Sequence, residues 1–362
     1  MFHTNKVISV ICTILCSSAV HAALIARDSD QALSYRPQSL VTGRSIFGLR
    51  TDFIQSSKRI NSEGKKENLG LMFEEKGVDS DGNFTNRYEF EASYFQLTPY
   101  WGYGLTSKWS IYFGLPVYQV QTKTKRTERM SSASAALVNN NNKPNLKPNS
   151  KTPDSPENDS NQMFIGQAVL STQYLMVDGI NHKLGLTQKL RFPSAGRDDS
   201  IYFTHGTPEA LGYGLGAGIN YEFIMTRGFS FISSVDGIMN LNDEVFVRPE
   251  GNDLAETDRN PGDTVAVRAM FEKSVFDSSY LQLGVSLEQK SEDEIDLTPK
   301  DSSAFEEAEA QRLLVAYEYR PESARRNSTE NLVSGRVSYS HLLSGVNVTA
   351  ENSAAVEIQI AY

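Results

Sequence analysis

The chain is poor in cysteine, in long apolar runs and in positive charge. Its two cysteines, Cys12 and Cys16, lie close to the start of the 362 residues. Beyond them no disulfide and no cysteine-ligated metal can form. After the N-terminal region no stretch approaches the ~20 consecutive apolar residues of a membrane helix. With hydrophobic residues at only 39%, a helical membrane protein is excluded. The formal net charge is -9, which leaves no basic field to neutralise phosphates and excludes nucleic acid as a partner. Histidine is scarce too. Past the N-terminal region only His182, His205 and His341 occur, at spacings that match no zinc motif, so no metal and no cofactor is expected.

What is present begins with an export signal. Lys6 supplies a positive start, Val7 to Val20 an apolar run, and Val20-His21-Ala22 a small-residue cleavage site. Residues 1–22 therefore read as a signal peptide, with the mature chain starting near Ala23. Residues 23–42 show no sustained period and are expected to form an N-terminal periplasmic or lumen-entering segment.

The most ordered pattern lies at the other end. In Ala354 to Tyr362, the residues Val356, Ile358, Ile360 and Tyr362 fall on one face of an extended strand, and Glu357, Gln359 and Ala361 on the other. The stretch resembles the membrane-insertion signal of bacterial outer-membrane β-barrels, which ends in an aromatic residue with apolar residues at every second position before it. About ten residues cross a bilayer as a tilted strand.

The same period recurs along the chain. A first strand is expected at about 45–56. Residues 88–103 form a second, its parity slipping near Tyr94 and Phe95, where a β-bulge is expected. Further strands follow at 109–117, 163–177, 184–192, 211–223, 229–240, 265–272, 281–290, 312–320, 333–340 and 354–362. Short turns at 104–108, 178–181, 226–228, 277–279 and 321–331 alternate with long polar loops. Of the long loops, residues 123–162 are low-complexity and Asn-rich. A soluble sandwich has no reason to differ at its two ends. An outer-membrane barrel places short turns in the periplasm and long loops outside. The fold class expected is therefore all-β: a transmembrane antiparallel up-and-down β-barrel of about twelve strands over residues 43–362, located in the cell outer membrane of a Gram-negative bacterium. Its partners are then outer-membrane lipid and lipopolysaccharide, the barrel-assembly machinery, and a small-molecule solute. Trp101, Tyr103, Trp109, Tyr317 and Tyr319 stand where an interfacial aromatic girdle belongs.

The face opposite the lipid carries the charge. Arg50, Asp52, Lys183, Lys189, Arg191, Glu222, Asp236, Arg268, Glu272, Glu288, Lys290, Arg312, Glu318, Arg320, Arg336 and Glu357 would point inward and line the lumen. A hydrocarbon core could not hold so many charges. They suit either a hydrated pore of mixed charge or a network of salt bridges that fills the barrel. Gly212, Gly214, Gly216 and Gly218 share one face, which would leave a soluble core unfilled; lining a lumen, or close approach of another segment, explains them. For an enzyme, Thr204-His205-Gly206 is the only candidate, and a solvated loop histidine accounts for it as well. No catalytic residue is assigned.

Three stretches, Tyr103-Gly104-Leu105-Thr106-Ser107-Lys108-Trp109 through Leu115-Pro116, Leu190-Arg191-Phe192-Pro193-Ser194-Ala195-Gly196, and Tyr213-Gly214-Leu215-Gly216-Ala217-Gly218, are similar to the family of barrels named for the meta-pathway of phenol degradation. That resemblance implies an outer-membrane transporter for small, often aromatic or apolar, compounds. The alternatives are a structural or surface-recognition barrel whose loops bind a partner and, third, an outer-membrane lipid- or peptide-hydrolysing enzyme.

Overall fold

Alternation of apolar and polar side chains leaves each strand with two faces that must meet different media, and a ribbon that meets lipid on one face can leave no backbone group unpaired. The computed structural model satisfies both demands by closure. It describes residues 39–362 apart from 57, 62, 69–73, 80–81, 132–159, 194–211, 227, 248–254, 296–306, 322–331 and 350–351.

Among the described residues, twelve antiparallel strands form one closed ring. In chain order they are β1 (Ser45–Ser56), β2 (Gly82–Gly104), β3 (Trp109–Gly114 continued by Val117–Ser131), β4 (Ser160–Ile165 continued by Ala168–Asp178), β5 (His182–Phe192) and β6 (Gly214–Thr226). They continue with β7 (Phe229–Asn240), β8 (Thr264–Phe276), β9 (Ser279–Lys290), β10 (Ala308–Tyr319), β11 (Leu332–Val346) and β12 (Asn352–Ala361). Each pairs with its sequence neighbour. Closure comes from β1, which pairs with β2 from Ser45↔Tyr103 to Ser56↔Ala92 and with β12 from Ile46↔Ala361 to Gln55↔Asn352. Ser45 and Tyr362 exchange backbone hydrogen bonds of 3.0 and 2.9 Å at the seam.

The outer face is apolar and open. Leu283, Ile358, Val337 and Ile219 are each more than half exposed, as they must be if lipid rather than protein covers them. Trp101, Trp109, Tyr317 and Tyr319 are exposed near the short-turn end, with Trp101 and Tyr103 stacked at 6.0 Å. At the opposite end Phe192 meets Tyr213 edge-on at 6.4 Å. Aromatic residues thus stand at both rims, the arrangement of an outer-membrane barrel. The chain is a β-barrel of the outer membrane.

The short turns follow from local chemistry. Thr106 Oγ1 accepts from the backbone N–H of Lys108 and Trp109 at 3.2 and 3.0 Å. The β8–β9 turn is tightened by Ser278, whose φ is 62°. Gly228 at the start of β7 has φ +85°, a conformation that costs glycine nothing.

Several expectations need correction. The parity slip in β2 is not at Tyr94 and Phe95. Pairing with β3 runs unbroken from Tyr88 to Leu97, and the register shift lies between Arg87 and Tyr88. Further along the strand Tyr100 faces inward and is buried, so aromatic residues are not confined to the outer face. Two strands expected to be continuous are broken. In β3 the break is Leu115-Pro116, where proline has no N–H for the ladder. In β4, Gly166 and Gln167 are buried in succession, so two consecutive residues face inward.

The stretches expected to be polar loops also contain strand. β2 and β3 pair as far as Phe84↔Ser131, well into the segment expected to be low-complexity loop, because outside lipid both faces can be polar. Lys58–Ile60, Lys66–Asn68 and Val348–Thr349 form a small sheet beyond the barrel, its Ile60 and Val348 packed on Ala308, Ala310 and Leu342. A second small sheet is made by Asp243–Val247, Ala255–Asn260 and Glu294–Ile295.

Candidate functional site: the inner wall of the barrel

Around the ring, the inward side chains divide into two arcs. On β2, β3 and β4 the buried inward residues among those described carry no charge: Gln96, Thr98 and Tyr100 on β2, Ser110, Tyr112 and Tyr118 on β3, Ser171, Gln173 and Leu175 on β4; the charged Asp178 lies exposed at the short-turn end of β4. The tyrosines lie across glycines of the adjacent strand. A Cβ at Gly48 would run into the ring of Tyr100, one at Gly102 into Tyr112, and one at Gly166 into Tyr118. Glycine at each position lets an aromatic ring lie flat against the wall.

From β5 round to β1 the inner face is charged. Arg50, Asp52, Lys189, Arg191, Glu222, Asp236, Arg268, Glu272, Glu288, Arg312, Arg320 and Glu357 are buried. Lys183, Lys290, Glu318 and Arg336 are half-buried. Most are seen in ion pairs. Arg50 grips Asp52 through Nε and Nη2 at 2.7 and 2.6 Å. Asp236 lies between Arg268 at 2.9 Å and Lys189 at 3.5 Å. Because Lys189 is on β5 and Asp236 on β7, that contact crosses β6 above Gly216 and Gly218, and a Cβ at Gly218 would strike the Asp236 carboxylate. The glycine row thus admits close approach of side chains from both sides.

Nearer the short turns, Arg320 meets Glu272 at 3.0 Å and Glu318 at 3.3 Å. Gln282 donates to both of those carboxylates at 2.9 Å, and the Arg320 guanidinium lies 4.2 Å above the Tyr280 ring. Arg312 donates to Glu288 at 3.3 Å. Lys183 is 3.8 Å from Asp178, and Glu222 stands opposite Lys183 in register. Glu357 accepts from Tyr100 at 2.5 Å and Gln359 at 2.7 Å. At the outer rim Lys290 and Arg259 both reach Asp293, which also accepts the Gly262 N–H at 2.7 Å.

These pairs do not all enclose open space. Arg50, Asp52, Arg268, Glu288, Arg312 and Arg336 border one cavity of about 40 Å³, room for roughly three waters and no organic solute. On this side of the barrel the charges fill the interior.

The N-terminal segment touches the neutral arc. Leu40 donates its N–H to Ser110 Oγ at 2.7 Å, and Ser39 its hydroxyl to the Ser107 carbonyl at 2.5 Å, so Leu40 lies against the inner wall at the short-turn end, packed on Ile46, Tyr100 and Tyr112. Residues 23–38 and the signal peptide lie outside the described residues, as does Thr204-His205-Gly206. His182 bonds Tyr221 at 2.7 Å and stacks on Phe223, and His341 bonds Asn352 at 2.6 Å; both histidines are exposed. Val356, Ile358, Ile360 and Tyr362 are all on the exposed outer face.

Sequence reasoning missed the inward tyrosines and the buried amide Gln96. The glycine placed beside each of Tyr100, Tyr112 and Tyr118 becomes a signal only once the strand register is known.

No family model matches the chain and no curated protein does. Solved structures do. The COG4313 outer membrane channel from Pseudomonas putida F1 is similar at a TM-score of 0.55 and 12% identity, over 90% of this chain and 98% of that one. A Pseudomonas aeruginosa FadL homologue matches at a TM-score of 0.38 and 8% identity, covering 95% and 96%. The translocator domain of autotransporter NalP from Neisseria meningitidis matches at 0.40 and 8%, covering 89% and 88%. The first shares the fold; the other two are too distant to carry an argument.

Proposed function

We propose that this barrel is a non-enzymatic channel that passes small solutes across the outer membrane along the uncharged arc of its inner wall. The observation that supports this is the division of that wall. Ion pairs fill the space beside β8 to β1, whereas β2 to β4 present hydroxyls, amides and flat aromatic rings to the interior. A wall of this composition can slide past a small apolar or aromatic solute without stripping a charge of its water. The resemblance to the phenol meta-pathway family agrees with solutes of that kind, and the shared fold with an outer membrane channel is consistent with transport. The outward face meets outer-membrane lipid and lipopolysaccharide, and the barrel-assembly machinery inserts it.

Purified protein in planar bilayers is expected to give discrete conductance steps, and proteoliposomes to swell in small solutes. Absence of both removes the transport reading and leaves the fold. A second reading has its own observation: β2 has 23 residues, about twice what a bilayer crossing needs, so the β2–β3 hairpin stands clear of the membrane and could engage a surface partner. Protease shaving of intact cells followed by a binding assay separates the two.

A further inference from the structure

Near its long-loop end the lipid-facing wall of the barrel is hollowed. An open groove of about 720 Å³ crosses β11, β12, β1, β2 and β3, the size of a small-molecule site. Strand register lays two rows of side chains along it. The lower row is Tyr339, Ala354, Phe53 and Phe95, each opposite the next on the neighbouring strand. The upper row, two residues or about 7 Å further along each strand, is His341, Asn352, Gln55, Ser93 and Gln121. Alternation puts both rows on the outside: Phe53, Tyr339 and Asn352 are exposed, whereas Asp52 and Ser353 are buried.

Depth identifies what fills the groove. About ten residues carry a tilted strand across a bilayer, so β12, with Tyr362 at the short-turn rim, reaches the opposite interface near Asn352. Long loops lie outside the cell. The apolar row therefore meets acyl chains of the outer leaflet, and the upper row meets the polar groups directly above them. All the described side chains lining the groove are uncharged. Anionic headgroups are recognised by lysine and arginine, whereas amides donate and accept together, which suits sugar hydroxyls and amide-linked chains. Phe53 and Phe95 stand edge to face at 5.1 Å. Ala354, small and placed between Phe53 and Tyr339, opens a slot wide enough for a chain.

We infer that this groove is a binding site for a glycolipid of the outer leaflet. An acyl chain runs through the slot at Ala354 and on past the exposed Val356 and Val337. The sugar hydroxyls or amide linkages meet Asn352 and Gln121. His341 holds Asn352 in place through its Oδ1 at 2.6 Å, which leaves Asn352 Nδ2 to donate to the lipid. The site does not depend on the channel reading, since a sealed barrel would hold the lipid equally well.

The test is native mass spectrometry of the detergent-solubilised full chain with lipid A, phosphatidylethanolamine and phosphatidylglycerol. Lipid A is expected to be retained at about tenfold or more lower concentration than either phospholipid, a factor that two net hydrogen bonds supply. Removing its phosphates should leave that preference in place, because recognition runs through uncharged groups. Gln121→Leu and Asn352→Leu should each weaken lipid A about fivefold, the factor of one net hydrogen bond. Ala354→Trp should fill the slot and abolish the preference, with folding checked by heat-modifiable gel mobility. Equal retention of the three lipids, or a preference that disappears with the phosphates, overturns the site, and so does undiminished retention by folded Ala354→Trp. Should a variant fail to fold, the wild-type comparison with intact and dephosphorylated lipid A decides alone.

Discussion

The phenol of Tyr100 on β2 reaches over Gly48 on β1 and donates a 2.5 Å hydrogen bond to Glu357 on β12. The two residues are 257 apart in sequence, and the strand between them is the one that closes the ring. The contact exists only because position 48 has no side chain. Tyr100→Phe removes one donor from a buried carboxylate that keeps Gln359, and is expected to lower stability by about 1–3 kcal/mol. Gly48→Val displaces the ring itself and should hinder closure more severely. The temperature at which the folded gel band converts to the unfolded one measures both. An unchanged temperature for Tyr100→Phe would show that the hydroxyl contributes nothing.

The Asp236 carboxylate holds Arg268 and Lys189 together inside the barrel. Asp236→Asn leaves two buried cations beside a neutral amide. Breaking a buried pair by removing one partner costs about 3–5 kcal/mol, so urea unfolding in liposomes should shift strongly. Adding Lys189→Gln should restore part of the loss, because the two positions share one interaction.

Much of this was legible in the chain. Strand number, the sidedness of Val356, Ile358 and Ile360, and the charged face follow from period two, which a strand imposes whatever its partner. The interruptions were less so. Pro116 announces one break, since proline cannot donate to a ladder, but nothing in Gly166-Gln167 announces the adjacent one. The crossing of Gly48 by Tyr100 was invisible. It depends on register between strands at opposite ends of the sequence, which local pattern does not contain. The alternation that finds strands also treats every tyrosine as lipid-facing, which is why Tyr100, Tyr112 and Tyr118 were absent from the expected inner face.

At the outer rim, Asp293 joins two connections, taking Gly262 N–H from one and Lys290 from the strand before its own. Arg259 closes the cluster at 3.4 Å. Asp293→Ala is expected to loosen both connections while the barrel stays folded. Limited proteolysis should then cut within residues 242–263 several times faster than in the parent protein; equal rates would mean that Asp293 does not restrain them.

Leu283 is 53% exposed on the outer face of β9. Leu283→Arg places a charge in lipid and should cost about 2–4 kcal/mol if the position lies near the bilayer midplane. Reversible unfolding in lipid vesicles gives the value. A neutral result would place water, not hydrocarbon, outside β9.

Closure through β1 has a consequence for biogenesis. The first staff of the ring has two partners, and one of them, β12, lies at the far end of the chain. Until that last strand is available, β1 keeps a bare edge of amides and carbonyls that would template aggregation. Circularisation is therefore the committing event, after which neither β1 nor β12 can leave without baring the edge of the other.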